Sequence, residues 1–391
     1  MDKKRIALAM AGIFAAPAAM AGSAGVTFYG QINAAIVATD SGDVPGGQQG
    51  TSANHIASDQ SRIGFKGAED LGGGTSAIWQ IESGINADGA SGTWASRNTF
   101  AGLAGESWGD VKLGNMDSPY KSVTRGFDFF ADTVADNRSI MGVIGQTNFS
   151  LDARNSNSLT YTSPDKCNFK VSAQYVAAAE DASQSAPTPT NKGSNYSLSL
   201  GYNAGPITAA AAMVQMKAGA AGTGTANVAA TATATTWPYA SGTGAAADDK
   251  IRGLRLGGGY KMDAVTVNAV FERVEGDITT TGNPRGDTLR ANTFYLGGKF
   301  SLSSSDAVKL AYTYRGEIGK TTKLLNSQVR QWTLGYDHAM SKRTQVYALY
   351  TKLDNNDNSS QSFSNVSTAA PVSSGAGADP FAFALGVKHA F

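Results

Sequence analysis

The last eleven residues of the chain alternate between two kinds of side chain and end on an aromatic residue. Bulky side chains occupy every second position from Phe381 to Phe391, and Ala, Gly or Lys stand between them. A β-strand has a side-chain period of two, so such a strand has one apolar face and one small or polar face. Similar runs recur along the whole chain, without the second set of apolar residues that a packed sandwich would need.

The connections between these runs alternate in length. Short ones, such as 70–74 and 203–206, alternate with long ones, such as 39–58, 116–148 and 217–249. Short turns at one end and long loops at the other are typical of an outer-membrane barrel, whereas a soluble sandwich has no reason to alternate in this way. The sequence therefore predicts an all-β fold, a 16-stranded antiparallel transmembrane β-barrel.

The N-terminus has the pattern of a leader. Lys3, Lys4 and Arg5 precede an apolar stretch from Ile6 to Phe14, and Ala19-Met20-Ala21 supplies a small-x-small cleavage site. This order is typical of a secretory signal peptide. We expect a signal peptide over residues 1–21 and one barrel domain over residues 22–391, with cleavage after Ala24 as the alternative.

Composition argues against several other classes of protein. The formal net charge is +1, without the clustered basic excess of a nucleic-acid-binding protein. The single cysteine, Cys167, cannot form an internal disulfide. The three histidines, His55, His338 and His389, do not lie beside a serine nucleophile motif, so we expect no enzyme and no catalytic residue. No cofactor or metal site is predicted, and the chain has no internal repeats of the kind an adhesin would need.

The chain resembles a known family, the general porins of Gram-negative bacteria, in their β-proteobacterial and Neisserial branch. The resemblance rests on the order of several stretches from the first mature strand to the last residue: 26–32, 61–67, 69–74, 79–84, 157–164 and 386–391. It departs where that branch often carries Gly-Arg-Gln, since this chain has Ser96-Arg97-Asn98. The resemblance implies a homotrimer in the outer membrane and a water-filled pore narrowed by an inward-folded third loop.

The same resemblance implies the partners of the chain. They are two further copies of the chain, outer-membrane lipid and lipopolysaccharide, small hydrophilic solutes, and the barrel-assembly machinery, which would contact the C-terminal strand ending in Phe391. No nucleic acid is expected among them.

Strand alternation predicts which basic side chains face the pore. If Phe65, Phe100 and Leu159 face the lipid, the side chains one, three or five positions away face inward. The basic residues assigned to the pore wall in this way are Arg62, Lys66, Arg97 and Arg154. On the lipid face an arginine would cost roughly 2–4 kcal/mol at the midplane. The resemblance points the same way, because anion-preferring members carry arginines at the positions that match Arg62, Arg97 and Arg154.

The third long loop, Met116 to Asn148, should lie opposite this wall. Its acidic residues are Asp117, Asp128, Asp132 and Asp136, and its aromatic residues include Phe127, Phe129 and Phe130. We expect the phenylalanines to pin the loop to the wall and some aspartates to face the arginines, which would create a transverse field across the pore. The alternative is that these aspartates pair with Lys121, Arg125 or Arg138 on the loop itself.

The function expected from the sequence is passive diffusion of small hydrophilic solutes and ions through a general porin with a weak preference for anions. The alternative is a solute-specific channel for small organic or inorganic anions, which would need a ladder of aromatic or basic residues down the lumen.

Overall fold

The computed structural model of the chain describes residues 25–89, 94–143, 150–177, 195–217, 250–277, 288–319, 325–363 and 375–391. The predicted signal peptide, residues 1–21, lies outside the described residues, so its boundary stays a prediction. Among the described residues, no helix is long and apolar enough to span a bilayer.

The described chain forms one antiparallel sheet that closes on itself. Each strand pairs with its neighbours in sequence, and the last strand returns to the first. The strand segments are β1 (Gly25–Asp40), β2 (Ser52–Ser58), β3 (Arg62–Gly72), β4 (Thr75–Gly84), β5 (Thr99–Gly105), β6 (Gly109–Asp117), β7 (Arg154–Thr162), β8 (Phe169–Val176), β9 (Asn195–Ala204), β10 (Ile207–Lys217), β11 (Lys250–Met262), β12 (Val265–Asp277), β13 (Thr288–Ser301), β14 (Asp306–Arg315), β15 (Val329–Ala339), β16 (Thr344–Asn355) and β17 (Phe381–Ala390).

Two of these segments, β2 and β3, are halves of one barrel strand. β2 pairs with the second half of β1 and β3 with its first half. Between them the chain breaks from strand geometry at Gln60, whose φ is +56°. Counted this way, the described residues form the predicted 16-stranded barrel, which is confirmed. The first long loop is shorter than the predicted 39–58, because β2 occupies Ser52–Ser58.

The barrel closes at the C-terminal residue. The backbone N–H groups of Gly30 and Phe391 each donate to the carbonyl oxygen of the other at 3.1 Å. The Phe391 ring packs 5.4 Å from the Phe28 ring, centroid to centroid. A Cβ on Gly30 would stand 2.5 Å from the Phe391 ring, so glycine is needed where the aromatic ring crosses the seam.

The two faces of the sheet differ as the alternation predicts. In β11, Leu254 and Leu256 are exposed on the outside, whereas Arg255 between them is buried in the interior. Large apolar side chains exposed all round the outer surface are stable only against hydrocarbon, because nothing else in the described chain covers them. The inner face instead carries polar and small side chains, such as Arg255 and Ala212, among buried apolar ones, such as Val270.

Loop three follows β6, and the structure describes its residues 118–143 and 150–153. It begins with helix α1 (Pro119–Thr124), where the Ser118 Oγ caps the helix by accepting from the Lys121 N–H. Two 3₁₀ turns follow, Arg125–Phe127 and Asn137–Ser139.

Candidate functional site

Loop three runs along the inner face of the barrel wall. Its backbone bonds to inward-facing side chains on strands from β9 round to β1, so the loop crosses much of the lumen. The wall groups that bond to it are Ser197 (to Tyr120), Asn268 (to Phe127), Tyr295 and Lys309 (to Phe129), Gln331 (to Ala135) and Asn33 (to Asp132).

The three phenylalanines of the loop pack against glycines of the wall. An added Cβ would lie 3.0 Å from the nearest ring atom of Phe127, 2.9 Å from that of Phe129 and 2.6 Å from that of Phe130. The glycines concerned are Gly257 on β11, Gly297 on β13 and Gly335 on β15, in the same order. Because any larger residue would displace a ring, these glycines act as sockets that fix the distance of the loop from the wall.

A buried ionic cluster joins both ends of loop three to the wall. Glu272 on β12 is fully buried and accepts hydrogen bonds from the Tyr120 hydroxyl and the Gly142 N–H, each at 2.6 Å. Arg255 on β11 lies 2.5 Å from Glu272 and 2.8 Å from Asp152. Its guanidinium also stacks over the Tyr120 ring at 4.3 Å. Two wall residues thus hold the beginning and the end of the described loop.

Each of the three arginines predicted for the pore wall has an acidic partner. The ion pairs are Arg62 with Asp132 at 3.6 Å, Arg97 with Glu82 at 2.6 Å, and Arg154 with Asp117 at 3.0 Å. Neighbouring groups connect the arginines into one ladder, because Gln60 accepts from both Arg62 and Arg97. Arg154 in turn donates to Asn98, the residue after Arg97. The pair of Arg62 and Asp132 joins this ladder to loop three.

The other wall predictions have mixed outcomes. Lys66 lies on the same face as Arg62, with its Nζ 5.3 Å above the Tyr29 ring. The outward orientation predicted for Phe100 is wrong. The neighbouring Ala101 pairs with the exposed Leu113, so Phe100 faces inward, where the Lys112 Nζ lies 5.3 Å from its ring. Arg97 precedes β5, so its position follows from its pair with Glu82 and not from strand alternation.

The neighbourhood of Arg154 also departs from simple alternation. Asn157 has a φ of +51°, and the register between β6 and β7 shifts between Gly114 and Met116. Past this bulge the side chain of Asn155 is buried and donates to Gln174. Parity counted from Leu159 therefore does not carry through to Arg154, whose position is fixed by Asp117 and Asn98.

The loop-three aspartates pair with the loop as well as with the wall. Arg125 contacts Asp132 at 2.8 Å and forms a very close pair with Asp136, which Arg138 also contacts at 2.9 Å. Asp128 accepts from the backbone N–H groups of Phe130 and Asn137. Asp117 contacts Lys121 as well as Arg154. The alternative of pairing within the loop thus describes most of these contacts, and Asp132 makes both kinds.

These pairings separate the acidities of the loop carboxyl groups. Burial raises the pKa of Asp128 to about 6, and the neighbouring Asp136 adds to this shift. Burial opposes ionisation of Asp132 too, but Arg125, Lys388 and Arg62 outweigh it and lower its pKa to about 2. The pKa of Asp136 is also lowered, because Arg125 and Arg138 overcome its burial. Of Asp128, Asp132 and Asp136, Asp128 thus has the pKa nearest neutrality.

Positive charges are in slight excess where loop three lies against the barrel wall. Among the described residues, the cationic side chains are Arg62, Lys66, Arg97, Lys121, Arg125, Arg138, Arg154, Arg255, Lys309 and Lys388, and the acidic ones are Asp59, Glu82, Asp117, Asp128, Asp132, Asp136, Asp152, Glu272 and Asp337. Charges of both signs held this close create a strong local field across a wet passage.

Sequence reasoning missed the part of the site that lies far away in the chain. The cluster around Glu272 joins residues separated by 130 and 152 positions. The sequence did contain an indication of this cluster, since Arg255 and Glu272 are charged residues at inward positions of otherwise apolar runs. The glycine sockets had no signal of their own, because glycine is common throughout the strands.

Several known proteins are similar to this chain in sequence and in fold. A family model described as Gram-negative porin matches residues 7–316. Outer membrane porin protein 32 of Delftia acidovorans is 29% identical over 402 residues, covering all of both chains. Major outer membrane protein P.IB of Neisseria lactamica is 26% identical over 354 residues, 88% of this chain and 91% of its own. The anion-selective porin from Comamonas acidovorans has the same fold, with a TM-score of 0.72 at 22% identity, over 94% of this chain and all of its own.

Proposed function

Because the chain belongs to the family of Gram-negative porins, we propose that its constriction makes it a general diffusion channel with a weak preference for anions. As a porin it spans the outer membrane many times and forms a water-filled passage for small hydrophilic solutes and ions. Its family is one of channels, and the proposed function needs no catalytic group.

The observation that carries the anion preference is the arginine ladder facing loop three. Arg62, Arg97 and Arg154 follow one another along the wall, with Gln60 and Asn98 between them. Each has an acidic partner, which limits the field that a passing ion meets. The cationic side chains around the constriction outnumber the acidic ones only slightly, so the expected preference for anions is weak. The anion selectivity named for the Comamonas porin supports the same sign.

Neutralising the ladder tests this proposal. In Arg62→Gln/Arg97→Gln, Asp132 and Glu82 lose their arginine partners on the wall, and the excess of cations around the constriction disappears. We expect the permeability ratio of anion to cation to fall, measured as the reversal potential in a planar bilayer under a salt gradient. The matched control is Lys342→Gln/Arg343→Gln, which removes two exposed cations at a short turn. Reversal potentials that stay at the wild-type value in both variants would contradict the proposal.

A solute-specific channel is the second candidate, and the continuity of the ladder favours it. Arg62 and Arg97 share Gln60 as a hydrogen-bond partner, and Arg154 donates to Asn98, the residue after Arg97, so the three arginines form the basic track that such a channel needs. Conductance would then saturate, or be blocked, as the concentration of one small organic anion rises. A conductance that grows in proportion to concentration for chloride, phosphate and small carboxylates supports the general channel.

The proposed partners follow from membership of the family. We expect a homotrimer. The small residues Ala382 and Ala384 of the last strand are buried in the barrel interior, so contact between protomers would involve the bulky outer residues of that strand, such as Leu385. We also expect contacts with outer-membrane lipid and lipopolysaccharide. The barrel-assembly machinery would recognise the last strand, whose terminal Phe391 closes the barrel seam.

A further inference from the structure

Three arginines stand on the outer face of the barrel, where permeation does not use them. Arg252, Arg273 and Arg290 lie on β11, β12 and β13, on the face opposite the buried Arg255 and Glu272. All three lie at the ends of these strands that lead into long connections. Arg252, Glu275 and Arg290 are direct partners across the strands.

The cluster has a net positive charge and a fixed shape. The Glu275 Oε1 lies 3.2 Å from the Arg273 Nε and 2.7 Å from the Arg290 Nε. The side chains of Arg273 and Arg290 are 40% and 46% exposed. One carboxylate therefore holds two guanidinium groups side by side, and the three arginines outnumber the single acidic residue in this group.

An apolar groove of about 440 Å³ begins directly below the arginines. The row of Leu256, Phe271 and Phe294 lies two residues further along the strands than the row containing Arg273, a distance of about 7 Å. Nothing lies within 4 Å of a Cβ added to Gly258, which helps to line the groove. The outward-facing lining residues are Leu256, Gly258, Ala269, Phe271, Phe294, Leu296 and Tyr312.

A second apolar groove, of about 480 Å³, lies on the side of Arg252 opposite to the first groove. It is lined by residues of β7 to β10, among them Leu198 and Met213. Gln215 lines this groove and accepts a hydrogen bond from the Arg252 Nε at 3.2 Å. The arginine cluster thus lies at the head of two grooves that open to the hydrocarbon.

The chemistry of these features fits one kind of ligand. A guanidinium fork matches the oxygen atoms of a phosphate group and binds them through two parallel hydrogen bonds. The apolar grooves suit acyl chains. From β11 to β13 the arginines span two strand spacings, about 10 Å, which suits a headgroup with phosphates at separate positions.

We propose that this outer face binds the phosphorylated glycolipid of the outer leaflet, with its phosphates on Arg252, Arg273 and Arg290 and acyl chains in the two grooves. The inference rests on the proposed function to the extent that the long loops face outward from the cell. The glycolipid then meets the barrel on the side where the arginines stand. Glu275 is a positioning residue that keeps two of the guanidinium groups together.

Lipid binding to the purified protein in detergent tests this site. The probe is bis-phosphorylated lipid A, measured by native mass spectrometry against the wild type and Arg252→Gln/Arg273→Gln/Arg290→Gln. We expect the affinity to fall about fivefold per arginine and roughly a hundredfold for all three. The matched control, Lys166→Gln/Lys342→Gln/Arg343→Gln, removes the same charge from exposed positions at the short turns and should bind as the wild type does.

Two further measurements separate the parts of the site. Gly258→Leu should fill the groove and lower the affinity for lipid A without changing any charge. Lipid A stripped of its phosphates, and phosphatidylglycerol, should each bind the wild type at least about tenfold more weakly than lipid A, since each lacks part of the match. Equal affinity for phosphatidylglycerol would overturn the assignment to the glycolipid. An equal loss of affinity for lipid A in the control variant would mean that net charge, and not this site, accounts for the effect.

Channel activity distinguishes failure of this site from failure of the proposed function. The lumen residues are untouched, so all variants should keep the wild-type conductance and reversal potential in a planar bilayer, which also shows that they are folded. If the triple variant does not insert, Arg290→Gln and Gly258→Leu alone test the same contacts. Unchanged affinity for lipid A in both would overturn the proposal, whatever the conductance.

Discussion

Replacing Glu272 with alanine should release loop three from the barrel wall. The Glu272 carboxylate accepts from the Tyr120 hydroxyl, near the start of the loop, and from the Gly142 N–H, towards its end. It also pairs with Arg255 on the neighbouring strand at 2.5 Å. All of these groups are removed from water, so the alanine variant leaves a buried hydroxyl, an amide and part of a guanidinium without their acceptor.

The size of the effect follows from these contacts. Removing one partner of a buried ion pair costs about 3–5 kcal/mol. Arg255 keeps Asp152 at 2.8 Å and is not left without a counter-charge, which places the cost at the lower end. A loss of about 3 kcal/mol in the docked loop changes the ratio of docked to released loop by roughly a hundredfold.

Hydrogen exchange and single-channel recording measure this change. We expect the backbone amides of residues 119–124 and Gly142 to exchange up to about a hundredfold faster in Glu272→Ala, through local opening of the loop. In a planar bilayer, the open level should become noisier and shift in conductance. Glu275→Ala is the matched control, on the same strand but facing outward, where exposed ion pairs contribute only about 0–1 kcal/mol. Wild-type exchange and conductance in Glu272→Ala would refute the view that this cluster holds the loop.

Three further predictions concern the loop sockets, the loop carboxyl groups and the barrel seam. Gly335→Leu should displace Phe130 from its socket and alter single-channel conductance, whereas Gly298→Leu, with open space around its Cβ, should leave conductance unchanged. The raised pKa of Asp128 means that the folded loop binds a proton more tightly than the released one, so loop stability should rise as the pH falls from about 6 towards 4. Hydrogen exchange of residues 125–140, corrected for its intrinsic pH dependence, checks this, and Asp128→Asn should abolish the trend; a trend that persists in that variant would assign it to another group. Deleting Phe391 removes the ring contact with Phe28 and two seam hydrogen bonds, so refolding into detergent should slow, while Phe391→Trp should restore the rate; equal rates for all three proteins would contradict a role in closing the barrel.

Strand alternation was enough to predict the fold, because the solvent on each side of a barrel wall dictates the residues of that face. The same rule failed where the backbone departs from a regular strand. The bulge at Asn157 breaks the count of positions between Leu159 and Arg154. Phe100 was assigned to the wrong face for a different reason, because an aromatic side chain was expected to face lipid, whereas alternation from the exposed Leu103 on the same strand places it inside. Parity has a period of two, and one irregular residue inverts every assignment that is counted across it.

The pairing partners within the constriction were harder to predict than its members. Arg62 could be named from strand alternation, and Arg97 and Arg154 from the family resemblance, but the acidic partners of these arginines come from different segments of the chain. Glu82 is close in sequence to Arg97, whereas Asp132 reaches Arg62 only because loop three crosses the lumen. Sequence position does not reveal such contacts, since they depend on the path of a long loop that is fixed by packing on distant strands.

Strand β11 contains three successive glycines, Gly257 to Gly259, and has one face towards the pore and the other towards lipid. Glycine lowers strand stability, so a run of three needs a reason at each position. Gly257 faces inward against Phe127, whereas Gly258 faces outward and lines the groove below the arginines. Because adjacent residues of a strand serve opposite faces, alanine at Gly257 should change conductance and leave lipid A binding intact, and leucine at Gly258 should do the reverse. If either substitution changed both properties together, the two faces would be coupled through the strand, and the wall could not be treated as a rigid partition between pore and lipid.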